Sequence, residues 1–208
     1  MSVIDRLASM QGRSDDVPNQ ELAKELAEKK DSPAIEEIVR NLNNKNKRIQ
    51  SDCIKVLYEI GYIEPQLIQP YADTFLSLLE SKNNRLVWGG MIALSTIAPL
   101  QPDRIFERID LVIKTIENGS VITVDRGIKT LALVASANDK YNKKIFPFLI
   151  DHLRTCRPKD LPQHAESIAV AVTDQNKADF ISVLEERKAL LKPSQRKRVE
   201  KVIRSLTG

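Results

Sequence analysis

Apolar positions along the chain recur at spacings of three, four and seven residues, the period of an α-helix, and this pattern itself repeats every 37 residues. Ungapped blocks cover 45–81, 82–118 and 119–155, and a degenerate fourth covers 156–192. Four columns keep their apolar character. Ile54, Met91, Ile128 and Ala165 form the first; Leu57, Leu94, Leu131 and Ile168 form the second. Ile60, Ile97, Val134 and Ala171 form the third, and Leu79, Ile116, Leu153 and Leu190 the fourth. Pro65 and Pro102 occupy equivalent positions near the first turn of a following helix, where a missing N–H costs least. In the third block Asp139 and Lys140 fall in that same turn.

Each block therefore predicts two amphipathic helices of roughly 15 residues joined by a short polar turn. One such pair cannot bury both of its apolar stripes, whereas pairs stacked side by side bury them in a shared core; the expected class is an all-α solenoid. The pairs are expected at 33–43 with 45–60, 66–81 with 83–98, 103–117 with 119–136, 140–155 with 159–173, and 175–191 with 194–206. A leading helix at 20–30 caps the stack. Pro158 and Pro162 bracket one helix start, so that helix is expected to begin late and its repeat to be the least regular. Residues 11–19 are polar, and the first ten predict at most a short, loosely attached helix. This makes 1–19 a flexible segment before a repeat domain at 20–208.

The turn-then-helix pattern resembles HEAT repeats, whose second helix follows a short polar turn bearing a basic residue. The match runs from Asn46, Lys47 and Arg48 to Leu57 and Gly61, and from Asn84 and Arg85 to Leu94 and Ala98. The third copy, 121–135, has Ile122 where the others carry arginine. The resemblance implies a right-handed α-solenoid of about five HEAT-like helix pairs with an N-terminal capping helix, its second helices lining a concave groove. With Ile54, Leu57 and Ile60 in the core, Ser51 and Lys55 face outward. Trp88 and Ile92, then Asp125 and Lys129, are their equivalents. Adjacent columns hold Arg48 and Arg85, and Asp52, Gly89, Arg126 and Gln163. The groove is thus expected to present Arg48, Lys55, Arg85, Trp88, Asp125, Arg126 and Lys129. Trp88, the sole tryptophan, is the natural anchor for a partner, and Gly89 and Gly90 after it allow the close approach of a backbone or a ligand.

Composition agrees with aliphatic helix packing. Aromatic residues make up 5% of the chain and there are 7 glycines, which leaves little for phosphate loops. The formal charge is only +4, and its placement carries more information. Lys192, Arg196, Lys197, Arg198, Lys201 and Arg204 crowd the last helix with Glu200 as the only anion among them. They form either the solvated face of a terminal helix or a patch for an acidic partner. No run has the length of a signal peptide or membrane span, so a cytoplasmic location without membrane contact is expected.

Phosphate-loop, nucleophile-elbow and paired zinc-histidine motifs do not occur in the sequence. Cys53 and Cys156 lack CxxC spacing, Cys53 reads as core, and His152 and His164 read as separate packing or surface residues. No metal or cofactor is expected, and adjacent acids such as Glu36 and Glu37 diverge around a helix. The reading these features favour is a non-catalytic scaffold that binds a protein or peptide in the groove. The alternative is nucleic-acid binding. In overall plan the chain also resembles the HEAT-like alkylpurine DNA glycosylases, which implies contacts to a damaged nucleotide from Trp88, Asp125 and Arg126. Against that plan the chain has one tryptophan and a mildly basic groove. A third reading, an accessory lyase or adaptor for a cofactor-bearing protein, has no residue that selects it.

Overall fold

The computed structural model describes residues 2–207, and among them the regular structure is entirely helical. Packing gathers the chain into two compact units, residues up to Arg126 and residues from Gly127. The expectation of one repeat domain thus meets a chain whose contacts cluster in two parts, with the division inside a continuous helix.

The first unit contains α1 (Val17–Lys29), α2 (Ser32–Arg40), α3 (Lys47–Ile63), α4 (Ala72–Leu78), α5 (Asn84–Ile97), α6 (Pro102–Glu107) and α7 (Ile109–Glu117). It also holds the start of α8 (Val121–Ala135). Helix α3 packs on α1, α2 and α5, while α5 packs on α4 and α4 on α6. The second helices thus form one row and the first helices another. The side chains of Asn46 and Asn83 accept the N–H of Arg48 and Arg85, capping α3 and α5 at the polar turns of the repeat.

Two first helices are shorter than their periodicity predicts. The stretch expected as 66–81 begins as 3₁₀ turns at Pro65–Leu67 and Gln69–Tyr71, because Pro70 cannot donate to a helical carbonyl. The stretch expected as 103–117 breaks at Arg108, whose φ of −115° lies outside the α-helix.

The leading segment is drawn into this unit rather than loosely attached. A 3₁₀ turn at Val3–Arg6 packs on α2 and α1, and Leu7 and Ala8 are buried. Fully buried Asn19 accepts the Ala8 N–H at 3.0 Å and donates to Asp52 at 2.9 Å, and the other Asp52 oxygen accepts the Ser9 N–H at 2.8 Å. Val3, Leu7 and Ala8 and the backbone donors of Ala8 and Ser9 find partners, which the expectation of a loose helix over the first ten residues did not include, whereas 10–17 are exposed.

The second unit holds the rest of α8, α9 (Asp139–Thr155), α10 (Leu161–Ile168), α11 (Lys177–Arg187) and α12 (Pro193–Thr207). Helix α9 packs on α10 and α11, and α12 on α10 and α11. Helix α10 starts two residues later than its period predicts, after Pro158 and with Pro162 in its first turn. It is the shortest of this unit because it tightens into a 3₁₀ turn at Ala169–Ala171. Buried polar groups tie the unit together. Asn142 donates to the Ala171 carbonyl at 2.7 Å and accepts from Asn176 at 2.9 Å. The Arg187 guanidinium reaches from α11 to the carbonyls of Leu153, Arg154 and Cys156, which end α9.

The first three repeat columns are buried without exception, each member at most 1% exposed. The fourth holds at Leu79, Ile116 and Leu153 and fails at Leu190, which is 60% exposed.

Candidate functional site

The outer flank of α3 and α5 carries a connected set of rings and cations. On α3, Lys55, Tyr58, Glu59 and Tyr62 follow at helical spacing and so share one side. The Lys55 ammonium lies 5.0 Å from the Tyr58 ring centroid, 2.7 Å from Glu59 and 3.6 Å from Asp16. Burial is the largest single influence and pulls the Lys55 pKa down, but the hydrogen bond to Glu59, the interactions with Tyr58 and the Glu59 charge together exceed it and hold the pKa above the ordinary lysine value.

Trp88 leans on Tyr58 from α5, with ring centroids 6.2 Å apart and planes inclined at 51°. Tyr62 meets Tyr58 edge-on at 6.2 Å, and the Arg126 guanidinium lies 5.8 Å from the Tyr62 centroid. Tyr58 is buried beneath this set, Trp88 is half-buried, and Tyr62 and Ile63 are 47% and 50% exposed. Burial pushes the pKa of both tyrosines up, so their hydroxyls stay protonated at neutral pH.

The same unit has a polar cleft of about 570 Å³ where α3 and α5 begin. Arg13, Asp15, Asp16, Lys47, Arg48 and Arg85 are among its lining residues. Arg48 and Arg85 are exposed there.

Of the residues expected on one groove, the structure brings Lys55, Trp88 and Arg126 together through two tyrosines, and places Arg48 and Arg85 at the cleft. Asp125 is half-buried on α8, and Lys129, also half-buried, belongs to the second unit. Ile92, expected to face outward, is buried. The glycines beside Trp88 serve packing within the unit. A Cβ on Gly89 would lie 2.6 Å from Ile54, and one on Gly90 would lie 3.1 Å from both Leu78 and the Phe75 carbonyl. Their lack of a side chain lets α5 approach α3 and α4. Tyr58 and Tyr62 were not singled out from sequence, although their positions three and seven residues after Lys55 carry the signal.

The cations of the last helix are all exposed, while Val199 and Val202 face inward. Arg198 is engaged through two hydrogen bonds to Glu166 at 2.8 and 2.6 Å. That pairing lowers the Glu166 pKa. In the same unit the two histidines read as separate are hydrogen-bonded to each other, His152 Nε2 to His164 Nδ1, at 2.9 Å.

Neither a family model nor a curated protein sequence matches the chain. Solved structures do. A designed armadillo repeat protein in complex with the peptide (KR)4 aligns over 89% of this chain and 85% of its own, with TM-score 0.70 and 15% identity. A computationally designed armadillo repeat protein for modular peptide recognition aligns over 97% of both chains, with TM-score 0.69 and 14% identity. The fold is a HEAT/armadillo-type α-solenoid. The karyopherin Kap121p, in its complex with the SUMO protease Ulp1p, shares this solenoid over 96% of the present chain but only 22% of its own, with TM-score 0.67 and 16% identity. Among the described residues no helix is long and apolar enough to cross a membrane.

Proposed function

We propose that this solenoid is an interaction scaffold that holds an extended protein segment across the outer flank of α3 and α5. The observation that carries this reading is the ring-and-cation set from Lys55 through Tyr58, Trp88 and Tyr62 to Arg126. Tyrosine, tryptophan and arginine are the side chains that contribute most energy at protein interfaces. Here Tyr58 and the Lys55–Glu59 pair fix their orientation before any partner arrives, which lowers the entropy cost of binding. Exposed Arg48 and Arg85 at the neighbouring cleft favour a segment that alternates apolar and acidic side chains. The peptide complex of one structural relative and the protein complex of another support the reading.

The test uses Trp88, the only tryptophan, as its own reporter. Acidic-aromatic peptides from an array should shift its fluorescence saturably, and Tyr62→Ala should weaken the best of them by an order of magnitude with helicity unchanged. Equal affinity in Tyr62→Ala and Arg126→Ala removes the face from the argument. Binding of a labelled DNA duplex that weakens steeply with salt, in place of peptide, would replace the scaffold reading with the nucleic-acid one.

A further inference from the structure

The second unit contains a cluster that the scaffold reading does not use. His152 and Cys156 are four residues apart at the end of α9 and so project from one side of the helix. The turn through Pro158 folds α10 back, and His164 enters from its first turn. The three side chains offer ligand atoms that all lie within 4.8 Å of one another. His164 is only 1% exposed and directs Nδ1 at His152 Nε2, while His152 and Cys156 are half-buried, leaving a path for an ion to enter.

We propose that His152, Cys156 and His164 bind a transition-metal ion of the zinc class, with solvent completing the coordination. Two imidazoles and a thiolate are the donor set that selects zinc, cobalt or copper over magnesium and calcium, which prefer oxygen. The dimensions fit after small shifts. Tetrahedral zinc sets its nitrogen ligands about 3.3 Å apart and its nitrogen and sulfur ligands about 3.6 Å apart. The nitrogens therefore open by a few tenths of an ångström from their 2.9 Å hydrogen bond, and the sulfur closes from within 4.8 Å.

The proton balance is simple. The hydrogen bond between the rings is given up, and each neutral imidazole keeps one proton on the nitrogen that does not bind the metal. The Cys156 S–H bond breaks as the S–metal bond forms, and that proton passes to solvent. The nearby charges are Arg187, which donates to the Cys156 carbonyl at 2.7 Å, and Asp160, held by Arg157 at 2.6 Å. Burial and then Asp160 push the metal-free Cys156 thiol up, to about 11, against the pull of Arg187. The charge of the ion itself therefore displaces the proton, and Asp160 then offsets part of the added positive charge.

The experiment titrates the full-length chain, stripped with chelator and kept reduced, with Co2+ and then Zn2+. One equivalent of Co2+ should give a thiolate-to-cobalt charge-transfer band with intense visible bands of tetrahedral geometry, and Zn2+ should abolish both. Zn2+ should also raise the melting temperature, since it binds the folded state. Cys156→Ser, at a half-buried helix end where the fold tolerates it, should lose the charge-transfer band and weaken binding by an order of magnitude or more. His152→Gln should weaken binding comparably. Absence of stoichiometric binding to the parent chain, or spectra and affinity unchanged in Cys156→Ser, overturns the proposal.

Discussion

The two units solve the same packing problem with different chemistry. In the first, α5 closes on α3 and α4 because Gly89 and Gly90 present no side chain, and five of the seven glycines of the chain lie in this unit. In the second, buried and half-buried polar groups do the fastening: Asn142 with Asn176 and Ala171, half-buried Arg187 across the end of α9, and His164 with His152. Shape fit is non-directional and tolerates sliding, whereas a buried amide or imidazole is satisfied in one arrangement only. Where its helices stack, the first unit therefore depends on volume, buried amide bonding being confined to Asn19 and Asp52 at its leading segment. The second depends on hydrogen bonds between its helices, and substitutions of opposite kinds separate them.

The largest effect is expected at Asn142. Asn142→Ala removes the bonds to the Ala171 and Ala135 carbonyls and the acceptor of Asn176, leaving only the long 3.4 Å contact from Asn176 to the Ala171 carbonyl. A buried group left unsatisfied costs about 1–3 kcal/mol, and with two affected the loss should lie near the top of that range. Chemical denaturation measures it. A double-mutant cycle with Asn176→Ala should show strong coupling, and simple additivity would mean that the network is not a unit.

A smaller loss is expected at Gly89, where two effects oppose. Alanine gains about 1 kcal/mol of helix propensity over glycine. Its Cβ, however, falls 2.6 Å from Ile54, a fully buried β-branched side chain with little freedom to move, and overpacking costs about 1–3 kcal/mol. Gly89→Ala should therefore destabilise by about 1 kcal/mol, reversing the sign seen in an ordinary helix. Ile54→Val in the same chain should recover part of the loss. A stabilised Gly89→Ala variant would show that the first unit is not limited by volume.

The same contrast explains what could be read from sequence. Three apolar columns stay buried through all four blocks because the helical period holds along the second helices, and Ala171, on the 3₁₀ turn after α10, is still buried. The fourth lies on the first helices, where local chemistry intervenes. Pro70 unwinds one of them, and the 3₁₀ turn Lys188–Leu190 advances the chain by three residues per turn instead of 3.6. Leu190 is thereby exposed and Leu191, at 5% exposure, takes the buried position. On the candidate face, adding the repeat length to Ser51 placed Trp88 on the outward side, but adding it to Lys55 put the buried Ile92 there too, since burial of one column differs from rung to rung. The meeting of His152 and His164 was not legible. They lie twelve residues apart, and only the folded turn between α9 and α10 joins them.

The smallest effect concerns the leading segment, which is attached to the first unit by charge as well as by burial. Arg6 pairs with Glu25 on α1, and Lys29, one turn further along α1, also holds that carboxylate, at 2.8 Å. The hydrogen bonds from Arg6 and then Lys29 lower the Glu25 pKa from 4.5 to about 2. A depressed carboxylate pKa favours the folded arrangement above the unfolded value and loses that favour as pH falls through the folded one. The ionic part of the attachment should therefore be complete above about pH 4.5 and vanish near about pH 2. Hydrogen exchange at the Ala8 and Ser9 amides, which are held by Asn19 and Asp52, measures this without requiring global unfolding. Protection should decline across that window, and the decline should flatten in Glu25→Gln while the burial of Leu7 still retains the segment. An identical pH profile in Glu25→Gln would assign the attachment to Leu7, Asn19 and Asp52 alone, making the first unit dependent on packing and buried amides even at its charged edge.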